Sequence, residues 1–159
     1  MSGPAGTVPR KVILDCDPGI DDAFAIAFAC GHPGLELCGV TTVAGNVGLD
    51  RTTANALAVL EFLGRPGVPV AAGSPAPLLR PFADARDVHG ESGLGSASLP
   101  APHGKPADAH AVDFLIEKIT ATPGDVELGR RGDVPPPRRP AHDDEVGDLA
   151  GQRRMTAHR

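Results

Sequence analysis

Apolar and polar positions alternate between two kinds of segment along the first 128 residues. Short apolar runs, rich in β-branched residues, occupy 12–14, 35–43 and 68–72 and predict buried strands. The segment from Asp21 is rich in helix formers and opens with acids, and after Leu49 the apolar residues recur at helical spacing, so both segments are predicted to be helices. Because alternating strands and helices are typical of βαβ units, we predict an α/β fold. It has an open, mostly parallel sheet with helices on both faces, as in Rossmann-like proteins.

The later part of the chain continues this pattern less regularly. Asp108 is predicted to cap a further helix. The apolar residues of that helix stand at helical spacing, at Val112, Leu115, Ile116 and Ile119. Another strand is predicted to begin near Val126. The proline- and glycine-rich stretch 73–107 is too long for a routine connection, so it is either a functional loop, which we favour, or partly disordered.

The composition changes at Gly129. From that residue onward the chain has seven arginines and a run of three prolines but almost no aliphatic side chains. No hydrophobic core can form from such a composition. We therefore divide the chain into residues 1–128, which form the α/β part, and residues 129–159, a tail expected to be disordered.

Charge and apolar content narrow the classes of partner. The net charge of −5 gives no basic surface for a nucleic-acid backbone, so we expect no nucleic-acid partner. No segment approaches the roughly 20 apolar residues of a membrane span, and residues 1–11 lack the apolar core of a signal peptide. We expect a cytoplasmic protein without membrane contact that binds a small molecule. The sequence leaves the oligomeric state open and is compatible with a homo-oligomer.

The three cysteines, Cys16, Cys30 and Cys38, lie in apolar segments without the CxxC spacing of a zinc site, which favours buried free thiols over zinc ligands or disulfides.

An acidic cluster follows the first predicted strand. Its four aspartates lie within eight residues, at Asp15, Asp17, Asp21 and Asp22. No lysine or arginine occurs between residues 12 and 50. Two carboxylates about 4 Å apart repel by roughly 4 kcal/mol at an effective dielectric constant near 20, so the cluster needs a cation, protonation or wide separation. An all-oxygen site suits Ca²⁺ or Mg²⁺ better than Zn²⁺. The alternative is that the acids only cap the next helix and face water.

The acidic segment and three later ones resemble a known enzyme family. Residues 15–22, DCDPGIDD, are similar to the signature of the inosine-uridine nucleoside hydrolases. The resemblance continues through GVTTVAGN at 39–46, PVAAG at 69–73 and VHGESGLG at 88–95. It covers about residues 10 to 127 and implies the nucleoside hydrolase fold. It further implies an enzyme that splits purine or pyrimidine ribonucleosides into ribose and free base through a calcium-activated water.

The resemblance implies a calcium site made by three of the aspartates. Asp17 matches a calcium ligand that also takes a proton from the attacking water, which makes it the catalytic residue. Asp22 matches a second calcium ligand, and Asp15 supports the metal from farther out. Calcium together with clustered negative charge favours the oxocarbenium-like sugar that develops as the base departs.

Three further residues match positions that contact the substrate. Asp21 and Asn46 match residues that hold the ribose, and His89 matches a histidine near the nucleobase. Each has a simpler interpretation. Asp21 suits a helix cap, Asn46 suits a turn between two glycines, and His89 suits an ordinary hydrogen-bonding role in a loop. The base preference is not decided by these residues.

One departure from the family pattern and one likeness to another family raise alternative functions. After residue 128 the chain lacks the further calcium and ribose ligands of the family, so we hypothesise a truncated or frameshifted gene product. We expect weak calcium affinity, an exposed sheet edge and little activity, which leaves an inactive metal- or ribose-binding remnant as an alternative. The acids of 15–17 also resemble those of haloacid-dehalogenase-like phosphatases, but the turn at 18–19 and the acids at 21–22 disagree with that family.

Overall fold

The structure is a computed structural model and describes residues 8–79, 83 and 85–130. These residues form a four-stranded parallel sheet with the strand order β3-β2-β1-β4. The elements in chain order are β1 (Arg10–Cys16), α1 (Ile20–Gly31), β2 (Leu35–Thr42), α2 (Leu49–Phe62), β3 (Val70–Ala72), α3 (Arg86–His89), α4 (Ala111–Ala121) and β4 (Val126–Arg130). The predicted α/β fold with an open parallel sheet is confirmed.

Two hydrophobic clusters pack on the sheet. The larger cluster joins α1 and α2 to the strands through buried side chains such as Ile26, Leu60 and Val40. The smaller cluster places Phe114 of α4 against Ile13 of β1. Each large aliphatic side chain that is fully buried contributes about 1.5–3 kcal/mol relative to an exposed one. The sheet is therefore fixed by helices that belong to two separate cores.

The N-terminus of α4 differs from the sequence prediction. The helix is capped by His110, whose Nδ1 accepts a hydrogen bond from the Val112 N–H at 3.2 Å, so the predicted cap at Asp108 is wrong. The predicted apolar face is also wrong in part, because Val112 and Ile116 are more than half exposed while Phe114 is buried. The large Phe114 ring sets which side of α4 meets the sheet.

Gly39 in β2 makes room for that ring. A Cβ atom at this position would lie 2.7 Å from Cζ of Phe114, far inside van der Waals contact. The glycine therefore lets α4 approach the sheet.

β4 is an edge strand of the described sheet. It pairs with β1 in parallel and ends at Arg130, so the predicted division after residue 128 falls inside this strand. The predicted disordered tail, apart from its first two residues in β4, lies outside the described residues. No helix in the described part of the chain has the length and apolar content needed to cross a membrane.

The three cysteines are free thiols, as the sequence predicts. The predicted burial holds for Cys16 but is wrong for Cys30 and Cys38, which are half-buried.

Candidate active site at the carboxyl end of the sheet

The ends of β1 and β2 bring two loops side by side. Cys16 and Thr42, the last residues of the two strands, are paired in the register of the sheet. Beyond them the Val43 N–H donates to the Cys16 carbonyl at 3.1 Å. The turn that follows β1 therefore lies against the loop that follows β2. Ligands of open parallel sheets bind at this edge.

Asp17 and Asp22 are the two buried acids of the site, each only 6% exposed. Asp17 belongs to the turn after β1, and Asp22 lies in the first turn of α1. The Asp17 backbone N–H donates to Asp22 Oδ2 at 3.2 Å. This bond closes the strand-turn-helix segment on itself and places both acids at the same sheet edge.

Asn46, which is also buried, joins the second loop to Asp17 by two hydrogen bonds. Its backbone N–H donates to Asp17 Oδ2 at 2.7 Å, and its Nδ2 donates to the Asp17 carbonyl at 2.9 Å. A Cβ atom on the neighbouring Gly45 would overlap the Asp17 carboxylate. The loop therefore needs glycine at this position to come close enough to hold the acid.

His89 lies across the turn from the same asparagine. A Cβ atom on Gly19 would sit 2.5 Å from Asn46 Nδ2 and 2.7 Å from His89 Nδ1, so both polar groups surround this glycine. His89 is 9% exposed, and within the described residues its Nδ1 is a buried polar atom with no hydrogen-bond partner. A buried nitrogen in this state is available to a ligand.

The other two aspartates have different surroundings. Asp15 is half-buried, and its Oδ1 accepts a hydrogen bond from the hydroxyl of the fully buried Thr41 at 2.7 Å. Asp21 is exposed in the first turn of α1. The interpretation as a solvated helix-capping acid thus suits Asp21 but not the buried Asp22.

The aspartate cluster produces a negative electrostatic field, and its effect is seen in the raised pKa of the Cys16 thiol. Burial raises the pKa of the Cys16 thiol far above its ordinary value, and the negative charge of Asp22, then Asp15, Asp17 and Asp21, raises it further. All four carboxylates therefore act on this one buried group. A positive charge at this edge would be stabilised by the same field.

The residues present fit a divalent cation only in part. In the described ranges, no three or more histidine, cysteine, aspartate or glutamate side chains are grouped so as to hold a metal ion. Asp17 and Asp22 still provide a buried pair of carboxylates, which are the ligands that Ca²⁺ and Mg²⁺ prefer. Because Ca²⁺ takes about 6–8 oxygen ligands, this pair fits as part of a calcium site.

Asn55, a buried residue of α2, is a polar contact that the sequence analysis missed. Its Nδ2 donates to the Pro18 carbonyl at 3.0 Å and to the Ser92 carbonyl at 2.8 Å. The available signal was an asparagine inside a helix, where this residue type is unfavourable unless its amide is used. Thr41 was missed as well, because nothing local to it indicates a contact with Asp15.

Comparison with known proteins identifies the family. The model of the family described as inosine-uridine preferring nucleoside hydrolase matches residues 12–132. A protein of that name from Leishmania major is 50% identical over 113 residues, which are 70% of this chain and 36% of the relative. The pyrimidine-specific ribonucleoside hydrolase RihA of Shewanella sp. (strain MR-7) is 47% identical over 119 residues, which are 75% of this chain and 37% of the relative.

Solved structures agree with this result. A purine-preferring ribonucleoside hydrolase from Gardnerella vaginalis is 35% identical with a TM-score of 0.73. The match covers 76% of this chain and 40% of the Gardnerella vaginalis chain. A plant nucleoside hydrolase is 43% identical with a TM-score of 0.70. The match covers 77% of this chain and 39% of the plant chain. The chain thus spans little more than a third of the length of the curated relatives it matches. The resemblance seen in the four sequence segments is confirmed, and the chain belongs to the inosine-uridine preferring nucleoside hydrolase family.

Proposed function

We propose that this chain carries the metal- and ribose-binding part of a calcium-dependent nucleoside hydrolase. The reaction is the hydrolysis of the N-glycosidic bond of purine or pyrimidine ribonucleosides, which yields ribose and free base for salvage. The names of the relatives support the substrate class, since they include inosine-uridine preferring, pyrimidine-specific and purine-preferring hydrolases. Those relatives differ in their base preference, and ribonucleosides are the substrate class that they share. A cytoplasmic location and a homo-oligomer stay predictions from the sequence.

One observation supports the proposal more than any other. Asp17, Asp22 and Asn46 are all buried, and three hydrogen bonds join them at the carboxyl end of the sheet. Burial of two carboxylates at one edge of the sheet costs free energy, and the fold gains no stability from it. A ligand with positive charge accounts for that cost.

The ion would be held by Asp17 and Asp22. Asp15, whose carboxylate accepts a hydrogen bond from the Thr41 hydroxyl, would support them from farther out. Members of this family are generally metal-dependent. Calcium, when bound, supplies a positive charge that lowers the pKa of water and anchors sugar hydroxyls. The all-oxygen character of the aspartates is what favours calcium over zinc.

The chain's own residues then divide the work. Asp17, whose carboxylate is fixed by the Asn46 N–H, accepts the proton of the attacking water. Asp21, exposed at the rim, and Asn46 hold the ribose. His89, whose Nδ1 is buried without a partner among the described residues, contacts the departing base. The clustered negative charge stabilises the developing oxocarbenium-like sugar.

Calorimetry of Ca²⁺ binding tests the proposal on the intact chain. Asp17→Asn and Asp22→Asn each remove a carboxylate charge from the site, and Asp50→Asn removes the same charge from an exposed position on α2. Loss of an outer-shell partner typically costs roughly 10- to 100-fold in metal affinity, so loss of a direct ligand should cost at least that. Asp50→Asn should change the affinity less than about twofold.

Unchanged calcium affinity in both site variants would refute the calcium site.

A ribose-release assay separates the enzyme from a binding remnant. The remnant is a serious second candidate, because the described residues contribute only two buried carboxylates where calcium needs more ligands. Binding of calcium and ribose without turnover of inosine or uridine would favour the remnant. Hydrolysis of p-nitrophenyl phosphate without ribose release would favour the phosphatase alternative.

A further inference from the structure

We propose that Asn55 is a positioning residue that clamps the segment carrying His89 onto the turn after β1. The clamp itself rests on contacts within the chain, and its value for catalysis rests on the proposed function. Asn55 touches neither the aspartates nor any group to which we assign a chemical step, so it would act through His89.

The amide of Asn55 bridges two pieces of backbone that are far apart in sequence. Asn55 is 8% exposed, and its Nδ2 donates at 3.0 Å to the carbonyl of Pro18 and at 2.8 Å to the carbonyl of Ser92. An amide nitrogen carries two protons, so both are used. One side chain of α2 therefore ties the turn next to Asp17 to the loop after α3.

His89 lies between two anchors of the same segment. On one side, the Ala85 N–H donates to the Asn46 carbonyl at 2.9 Å, and on the other side Ser92 is held by Asn55. Within the segment, the Gly95 N–H donates to the His89 carbonyl at 2.7 Å. With both flanks attached, the buried imidazole is kept beside Gly19. Release of one flank would let it swing away from the turn.

The segment is shaped to approach Asn55 closely. Gly93 has a φ of +84°, a conformation that favours glycine, and a Cβ atom there would lie 2.9 Å from Asn55 Nδ2 and 3.0 Å from Val47 Cγ2. A bulkier residue at 93 would therefore push the loop off the amide. The loop and the asparagine form one fitted contact.

Core packing alone does not explain an asparagine at this position. Its buried neighbours on α2 include the apolar Ala56, Val59 and Leu60, and asparagine is a poorer helix former than leucine or alanine. A buried amide is favourable here because it satisfies two carbonyl groups. The burial of Asn55 is thus better explained by its hydrogen bonds to two loops than by packing in the hydrophobic core.

Chemical modification of His89 tests the clamp without any need for activity. Asn55→Asp keeps the shape but replaces the N–H donors with oxygen, which repels both carbonyls. Under native conditions, diethylpyrocarbonate should modify His89 roughly tenfold faster or more in this variant, given the loss of two hydrogen bonds. Mass spectrometry measures the rate at each histidine. His103, which is 95% exposed, serves as the internal standard, and its rate should not change.

The matched control is Thr53→Val on the same helix. It removes the buried hydrogen bond between the Thr42 and Thr53 hydroxyls, at 2.8 Å, without touching the loop. Its His89 rate should stay within about twofold of the native rate, because a single hydrogen bond elsewhere does not hold this segment. An equal acceleration in Thr53→Val would show that general loosening of α2 exposes His89, and would overturn the clamp.

A second variant attacks the same contact from the other side. Gly93→Ala places a methyl group against Asn55 Nδ2 and should also expose His89. If both variants break one contact, the double variant exposes His89 no more than the stronger single one, whereas independent damage would multiply the effects. If Asn55→Asp does not fold, Gly93→Ala alone decides. A folded Gly93→Ala or Asn55→Asp chain with the native His89 rate refutes the clamp.

A binding measurement separates this inference from the proposed function. In Asn55→Asp the affinity for inosine should fall at least about threefold more than the affinity for ribose, since the base and not the sugar meets His89. An equal fall for both ligands would overturn the positioning role. A native chain that binds neither inosine nor ribose would refute the proposed function instead, while the modification rates still decide the clamp.

Discussion

The two ends of β1 differ in charge. The amino end carries Arg10 and Lys11, whereas Asp15 and Asp17 lie at the carboxyl end. Arg10 is exposed and Lys11 is half-buried, and both meet acids around β4: Arg10 pairs with Glu127, and Lys11 Nζ lies 2.7 Å from Asp125 Oδ2. At the other end the acid Asp17 is buried and is held by the backbone N–H of Asn46.

The two arrangements have different costs. Exposed ion pairs are screened by water and salt and add little to stability. A buried carboxylate loses its hydration and needs hydrogen-bond donors or a nearby positive charge in exchange. The amino end of β1 is thus a surface where oppositely charged side chains pair, whereas the carboxyl end holds a buried acid that a backbone N–H group binds. Four experiments test how the surroundings of a carboxylate determine its effect on the fold.

Gly45→Ala should have the largest effect. The added methyl group would overlap the Asp17 carboxylate, and the loop cannot retreat without losing the Asn46 bond to that acid. We expect the free energy of unfolding to fall by about 2 kcal/mol, as in other overpacked sites. Urea denaturation measures it. The control is Gly48→Ala, three residues away, where a Cβ atom meets nothing within 4 Å. Equal effects of the two substitutions would contradict the close approach of Gly45 to Asp17.

Gly19→Ala should have a somewhat smaller effect. Its methyl group would crowd Asn46 Nδ2 and His89 Nδ1, which are side chains and can move. We expect a loss of about 1 kcal/mol in urea denaturation, together with faster chemical modification of His89. Gly31→Ala, at the end of α1, meets nothing within 4 Å and provides the control. A Gly19→Ala chain as stable as Gly31→Ala, with His89 still protected, would place the imidazole elsewhere.

Acid titration of Glu61 should show a smaller, local effect. Like Asp17, Glu61 binds backbone N–H groups, those of His103 at 2.8 Å and Gly104 at 2.7 Å, but at the surface. The Gly104 hydrogen bond, helped by His103, lowers the pKa of Glu61 below its ordinary value. Its contribution to stability is therefore complete above the unfolded-state pKa and is lost as the pH falls through the folded-state pKa.

NMR shifts of the His103 and Gly104 amides report this titration. They should move together as the carboxylate is protonated, and Glu61→Gln should abolish the movement. The same titration in Glu61→Gln would assign it to another group.

Glu127→Gln should have the smallest effect of the four. It weakens the ion pair with Arg10 at the exposed start of the sheet. We expect the melting temperature to stay within measurement error, at low and at high salt, because water already screens this pair. A clear drop that disappears in high salt would show that the amino end of β1 depends on its charges after all.

Local patterns predicted much of the molecule. The strand, turn and helix around the acidic segment follow from apolar runs, from the turn at 18–19 and from acids in a first helical turn. Asp17 and Asp22 were predicted as site residues from the acidic cluster after the first strand and from the family resemblance, whereas Asn46 was predicted from the resemblance alone. The structure does place these three in contact. Their chemical roles stay predictions.

Contacts between distant segments were not predictable in the same way. Asn55 is 37 residues from each of its partners, Pro18 and Ser92, and helical periodicity does not say which loop a buried amide will face. The cap of α4 was assigned to Asp108 because aspartate is the commoner capping residue, yet the chain reaches the helix through His110. Residue type indicates which side chains can cap a helix or bind a loop, but the tertiary packing determines which of them does so.

The tether between the Asn46 carbonyl and the Ala85 N–H involves only main-chain atoms, so no substitution of the asparagine side chain removes it. A variant with another residue at position 46 would lose the hydrogen bond from the side chain to the Asp17 carbonyl but would keep the course of the backbone toward α3. The side-chain contact with Asp17 and the course of the backbone can therefore change independently at position 46, and the path from β2 to α3 should tolerate a change of residue there.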